Sequence, residues 1–349
     1  MLPNTPDRSF ASNSLCCARL KVKSAFKKRQ VDNTPKWNYN INSINGPTHW
    51  KSIRGSFCGG RYQSPIEFDP AFVTVDPSLP LLNITNYNKR IAGLTLRNTG
   101  RTAAVTVSTR RDQALTLSNL RFNGVKYRLY RIHFHWSQHE PGSEHRIFGQ
   151  KFAAEMHLVH IKQGTSFRNA TRQTDGFVVL AVSNEPHYEL DRIVSNFRLI
   201  RFKGQQLSLP QPISVDKLLP EDRSSFYWYF GSFTSPPCTE SVLWIVFDNP
   251  ISVSSYQIGQ FRHHLFRDPL TQRRSSSRRR ARKRLSRLLT NVRPVVPIAR
   301  RIILYRPGDS VENSLIRPKS STNPAIQRQS KIANYFSIIA LLLLRIFSV

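Results

Sequence analysis

Apolar and polar residues alternate over several short stretches of this chain. Leu94–Val107 reads LTLRN, a turn at Gly100, then TAAVTVS, the period-two pattern of two strands joined by a turn. Lys126–Trp136 and Phe152–Ile161 continue in the same manner, on either side of the turn-rich SQHEPGSEH. Gly176–Val182 (GFVVLAV) and Val242–Phe247 are unbroken apolar runs of strand length, which predicts strands covered on both faces. Strand patterns are many and helical periods few, so the expected fold is mainly β.

The chemistry-bearing residues sit on two of these strands. His133 and His135 are two apart in HFHW, so they share one face while Phe134 and Trp136 project to the other. If KFAAEMHLVHI pairs antiparallel with the first strand, His157 meets both across the ladder. Three neutral imidazoles that leave one tetrahedral position open have the ligand set of a catalytic zinc site. A lone strand histidine is more often an ordinary hydrogen-bonded residue. Three on adjacent strands are harder to bury without a metal or partners.

HFHW, GSEH and AAEMHLVH, in this order, resemble the zinc-site block of the α-class carbonic anhydrases. NGPTHW at Asn45–Trp50 and GGRYQSPIEF at Gly59–Phe68 resemble the amino-terminal part of that family. FTSPPCTESVLWIVFDNPISVSSYQ at Phe233–Gln257 and NVRPVVPI at Asn291–Ile298 resemble its carboxy-terminal part. The resemblance implies a domain over residues 35–307, built on a large twisted, mostly antiparallel sheet with short peripheral helices. It implies Zn2+ on His133, His135 and His157, and reversible hydration of carbon dioxide to bicarbonate and a proton. Thr234 and Glu144 match the family's orienting relay, and Glu155 the partner of the third ligand. Val159, Val179, Phe233, Val242 and Trp244, with Ser235, match the substrate wall, where Phe233 replaces the usual leucine. Arg101 stands where efficient members carry a proton-shuttle histidine, and arginine stays protonated near neutrality. Arg131 stands where a glutamine usually accepts from the first ligand, and arginine has no acceptor. A catalytically silent binding module of the same family is the alternative; such modules typically lose zinc ligands. A second alternative is a surface-tethered protein acting through its basic loop.

Composition changes the picture at the edges of this domain. The 349-residue chain is 39% hydrophobic, enough for a sizeable core, and its formal net charge is +31. Much of that charge is local. Residues 1–34 form a basic leader, with Arg19, Lys21, Lys23, Lys27, Lys28 and Arg29 in one stretch, no apolar run of signal length, and the composition of a disordered segment. Within 272–288, Arg273–Arg287 holds nine basic residues among fifteen and reads as an insertion. It is expected to be a solvated loop, a processing site or a contact to an anionic surface. No nucleic-acid partner is expected.

Of the four cysteines, Cys58 and Cys238 lie inside the family block. The extracellular branch of the family implies a disulfide between them; two buried thiols are the alternative. The sequons at Asn83 and Asn169 agree with a secretory, glycosylated protein. A polar linker over 308–331 leads to an apolar tail at 332–349, in which Tyr335–Leu344 is interrupted by Arg345. The tail suits a GPI signal better than a spanning helix, which needs about 20 apolar residues. The expected place is the outer face of the plasma membrane or the secreted fraction.

Overall fold

The computed structural model describes residues 36–308 except 109–113, 119–123, 140, 186–187 and 270–285. The basic leader, most of the arginine-rich insertion, the linker and the tail therefore lie outside the described residues. Among the described residues, no helix is long and apolar enough to cross a membrane.

The architecture is a large, mixed, mostly antiparallel sheet with short helices around it. The alternating stretch at 94–107 forms β1 (Thr95–Asn98) and β2 (Ala103–Thr106), either side of a turn in which Gly100 has φ +80. The histidine segments form β3 (Tyr127–Trp136) and β4 (Ala154–Lys162). The two apolar runs form β5 (Phe177–Glu185) and β7 (Val242–Phe247). β6 (Phe226–Gly231) and β8 (Ile303–Arg306) complete the middle of the sheet. Its spatial order is β1-β2-β3-β4-β5-β7-β6-β8. β5 and β7 pair in parallel, and the other pairs in this series are antiparallel.

Residue parity sorts the sheet into two cores. Ile132, Phe134, Trp136, Met156, Leu158, Val178, Leu180, Leu243 and Ile245 belong to one buried cluster. Their neighbours of opposite parity, including Val159, Val179, Val242 and Trp244, belong to a second. Successive side chains leave a strand on opposite faces, so a sheet covered on both sides must be apolar at both parities. That is why β5 and β7 carry apolar runs in place of polar–apolar alternation. His133, His135 and His157 interrupt the second face, while His160 is buried on the first, its ring stacked on Tyr87.

The helix Ser255–His264 backs the metal strand from the first face. It opens with a capping box, in which the Ser254 side chain accepts from the Gln257 backbone and Gln257 from the Ser254 backbone. Its Phe261 packs on Phe134 and Trp136, at ring-centroid distances of 5.2 and 5.1 Å. With HFHW wedged from behind, His133 and His135 have little freedom to rotate away from the opposite face.

Cys58 and Cys238 are joined in a disulfide with their Cα atoms 4.8 Å apart. They share a small cluster with Tyr39 and Trp50, against which Trp37 and Ile53 pack. The bond ties the amino-terminal segment to the turn after Thr234. It spans 180 residues of sequence, so the chain-entropy model gives it up to about 5 kcal/mol. The double substitution Cys58→Ser with Cys238→Ser should lower the unfolding free energy by about 3 kcal/mol in a denaturant titration. An unchanged midpoint would show that the aromatic cluster holds this end of the chain by itself.

Candidate metal centre

His133 stands directly opposite His157 in the β3–β4 register, and His135 opposite Glu155. A register shift between Leu129 and Arg131 takes up an irregularity before the histidines are reached. The ring centroids of the three histidines are 5.1 Å apart for His133–His135, 5.1 Å for His133–His157 and 4.5 Å for His135–His157. One ligand atom from each lies within 4.8 Å of the others.

Burial pushes all three imidazoles below their ordinary pKa. His133 is held well below it by burial and then by the neighbouring Arg131. His135 falls to about 3 by burial and then the charge of His157. His157 falls as well, although Glu155 opposes the shift. All three are neutral at physiological pH, with lone pairs available. His135 donates through Nδ1 to the Asn291 carbonyl at 2.8 Å, and its Nε2 is buried without a partner. His157 spends Nε2 on Glu155 Oε1 at 2.6 Å, which leaves Nδ1 for a metal. His133 Nδ1 is also buried without a partner, and the nearby Arg131 offers donors only. Buried imidazole nitrogens without partners are costly, and a metal among the three rings would satisfy those that face it. This donor set fits Zn2+, which favours nitrogen ligands in tetrahedral arrangement.

Glu155 organises the surroundings. Its Oε1 accepts from His157 and from His145 Nδ1 at 2.7 Å; its Oε2 accepts the backbone N–H groups of Glu144 and His145 at 3.0 and 2.8 Å. Burial alone would raise its pKa, but His145 and His157 outweigh burial and hold it well below the usual value. Glu144 goes the other way, raised well above it by burial and then by the charge of Glu155. Its Oε1 accepts the Arg293 backbone N–H at 2.9 Å, while its Oε2 is buried without a partner. Thr234 is buried beside it and favours its ionised form.

The apolar residues expected near the site come together. Val159 and Val179 are cross-strand partners, and Val179 also faces Trp244 on β7. The Trp244 ring is 4.8 Å from His157, and Val242 lies in the same cluster. Phe233 packs on Phe177 at 4.9 Å, and Ser235 sits half-buried in the following turn. Arg101 is exposed, with its guanidinium 3.8 Å from the centre of the Trp37 ring. Asn83 and Asn169 are both exposed.

Several members of the site were not singled out from sequence. Asn291 accepts from His135 and, through Oδ1, from the Trp136 backbone. It donates to the carbonyls of Arg101 and Phe134. His145 continues from Glu155 to the Tyr229 hydroxyl at 2.7 Å, and Tyr229 donates to Ser64. Arg293 donates to Gln63 and to the carbonyls of Ser64 and Cys58. Asn291, Arg293, His145, Gln63 and Ser64 lie in the motifs quoted above, but their roles appear only when distant segments meet.

His133→Ala, His135→Ala and His157→Ala should each abolish stoichiometric zinc binding measured by elemental analysis; full occupancy in His157→Ala would refute the ligand set. Glu155→Gln places an amide donor against groups that already donate. It should weaken zinc by roughly 10- to 100-fold in a chelator competition, and an unchanged affinity would show that the carboxylate does not position His157.

Residues 45–307 match the sequence profile described as eukaryotic-type carbonic anhydrase. The chain is similar to carbonic anhydrase 12 of Homo sapiens, 34% identical over 238 residues, covering 65% of this chain and 63% of that protein. It is 33% identical to carbonic anhydrase 7 of Homo sapiens over 274 residues, 76% of this chain and 96% of the relative. With carbonic anhydrase 15 of Mus musculus it shares 30% identity over 296 residues, 82% of this chain and 88% of the relative. The matched span contains the three histidines, the Glu155 network and the whole sheet that aligns them, and the chain belongs to the eukaryotic-type carbonic anhydrase family.

Proposed function

We propose that this protein catalyses the reversible hydration of carbon dioxide with zinc bound to His133, His135 and His157. The observation that carries this reading is the convergence of three neutral, buried imidazoles beside an apolar wall. Zinc in such a site supplies a nucleophile at neutral pH by lowering the pKa of water to about 7. The rest of the work falls to side chains of this chain. Val159, Val179, Val242 and Trp244 form a surface suited to a small uncharged substrate. Phe233 narrows that surface compared with a leucine. Thr234 donates its hydroxyl hydrogen to Glu144, so its lone pairs accept from the reacting oxygen and fix that oxygen's direction. This needs Glu144 ionised, which Thr234 and Arg293 favour against burial; a bound dication adds to their effect. Glu155 holds His157 in the tautomer that presents Nδ1.

The Cys58–Cys238 disulfide and the exposed sequons at Asn83 and Asn169 support an oxidising compartment, so we place the protein outside the cell or on the outer membrane face. The apolar tail at 332–349 would serve as a GPI signal or anchor, and Arg273–Arg287 would meet an anionic surface.

Each turnover also releases a proton, and Arg101 cannot accept it. Hydration should therefore be limited by proton release in dilute, phosphate-free buffer. Arg101→His should raise kcat with little effect on kcat/KM, because carbon dioxide capture precedes the proton step. Small imidazole buffers should raise the turnover of the unmodified protein. If Arg101→His turns over at the original rate in dilute buffer, another route already carries the proton. Zinc-loaded protein with no hydration activity in any buffer would overturn the functional reading itself.

A further inference from the structure

A cavity of about 280 Å³ lies at the turn of Arg101, whose carbonyl accepts from the same Asn291 that orients His135; none of the three histidines lines it. Lys36, Trp37, Tyr39, Arg101, Lys203 and Arg267 are among its walls, and among the described residues no Asp or Glu lines it. Four cations therefore face one small space.

The backbone holds them there. Gly100 is packed so closely that a Cβ added to it would come within 2.7 Å of the Lys203 side chain and 2.9 Å of the Arg267 carbonyl. The Lys203 N–H donates to the Asp268 carbonyl at 3.0 Å, and the Gly204 N–H to the Asn98 carbonyl at 2.8 Å. The Arg101 guanidinium sits over the Trp37 ring, which Tyr39 and Trp50 brace edge-on. Arg267 donates through Nη2 to the Thr290 carbonyl at 3.3 Å, while its Nε is buried without a hydrogen-bond partner. The adjacent acid is Asp268, which supports the charge of Arg267 and accepts the Ser286 N–H at 2.9 Å. A cavity lined by one sign of charge concentrates counter-ions, and guanidinium and ammonium groups are the usual partners of phosphate oxygens.

The cavity also adjoins the chemistry. Tyr39 lines it, and the buried phenol is within electrostatic reach of Glu144 on one side and of Arg101 and Arg267 on the other.

We propose that this cavity binds a small doubly charged oxyanion, hydrogen phosphate or a phosphate monoester, and that the bound anion accepts the proton which Arg101 cannot. The second part rests on the hydration reading; the binding site does not. A double negative charge suits four cations; they favour the dianion and lower its second pKa below the free value of about 6 to 7, so the bound ion takes the proton transiently and hands it on to solvent. The step balances simply: the released proton passes through water to hydrogen phosphate, which becomes dihydrogen phosphate and leaves or exchanges with solvent. No other bond forms or breaks.

Titrating inorganic phosphate into the zinc-free full chain, followed by calorimetry and phosphorus NMR, tests the site without reference to activity. One phosphate should bind per chain, more weakly as salt is raised. Lys203→Gln, at an exposed position, and Arg267→Gln should each weaken it by about five- to tenfold, the effect of losing one charge partner. On the zinc-loaded protein, phosphate should raise turnover with a half-point near its dissociation constant. Sulfate should compete for the cavity without raising turnover, since it holds no proton near neutrality. In Lys203→Gln the phosphate effect should fade while imidazole buffers still act. Phosphate that does not bind, or that binds equally to both variants, overturns the site and in the latter case points to a surface such as Arg273–Arg287. Binding without any rate increase, while imidazole does accelerate, overturns the proton role and leaves the hydration reading intact. Binding to a protein with no hydration in any buffer overturns that reading and the proton role with it, and the anion site stands.

Discussion

The site depends on one buried negative charge. Glu155 is almost fully buried and survives as a carboxylate because four N–H groups point at it, two from imidazoles and two from the Glu144–His145 backbone. An ionised carboxylate so placed is tolerable only when every lone-pair direction is used. The arrangement fixes three things together: the ring of His157, the ring of His145 and the path of the loop that carries Glu144. It also separates the two carboxylates. The charge on Glu155 raises the pKa of Glu144, so the pair shares a preference for one charge in the absence of compensating cations.

The second constraint comes from the far end of the chain. Asn291 and Arg293 reach the centre from well over a hundred residues beyond the histidine strands and make contacts that no neighbour in sequence supplies. Asn291 orients His135 and also closes the carbonyls of Arg101 and Phe134, so the metal strand and the turn bearing Arg101 hang on one amide. Arg293 joins Glu144 to the segment of Gln63, Ser64 and Cys58, next to the disulfide. The bond between Cys58 and Cys238 thus braces the segment that Arg293 holds against the site. The amino-terminal aromatic cluster, the disulfide and the carboxylates form one continuous support for three imidazoles.

Arginine at two places near the centre alters its electrostatics. Arg131 leaves the Nδ1 of His133 without an acceptor and adds a positive charge beside a site that is to hold a dication. Arg101 joins Lys36, Lys203 and Arg267 in a cationic mouth. Both features favour anions near the metal and work against the entry of further cations.

The sequence by itself determined the strands and the candidate ligands. Period-two alternation and unbroken apolar runs located β1 to β5 and β7, because side-chain direction along a strand is a purely local consequence of backbone geometry. The HFHW spacing put His133 and His135 on one face for the same reason, and the family motifs supplied His157, Glu144, Glu155 and Thr234. The capping box at Ser254 and Gln257 is likewise a local feature of the sequence. What only the tertiary structure decided is which partners those residues find. The opposition of His133 to His157 is a matter of register. The Glu155 charge is stabilised by a loop that folds back upon it, and Asn291 and Arg293 act across the whole domain. The cationic cavity draws its four charges from four separate segments, none of them basic enough alone to mark a site. Local sequence fixes direction along a strand, but a hydrogen bond or a field between distant segments exists only once the sheet has closed the distance.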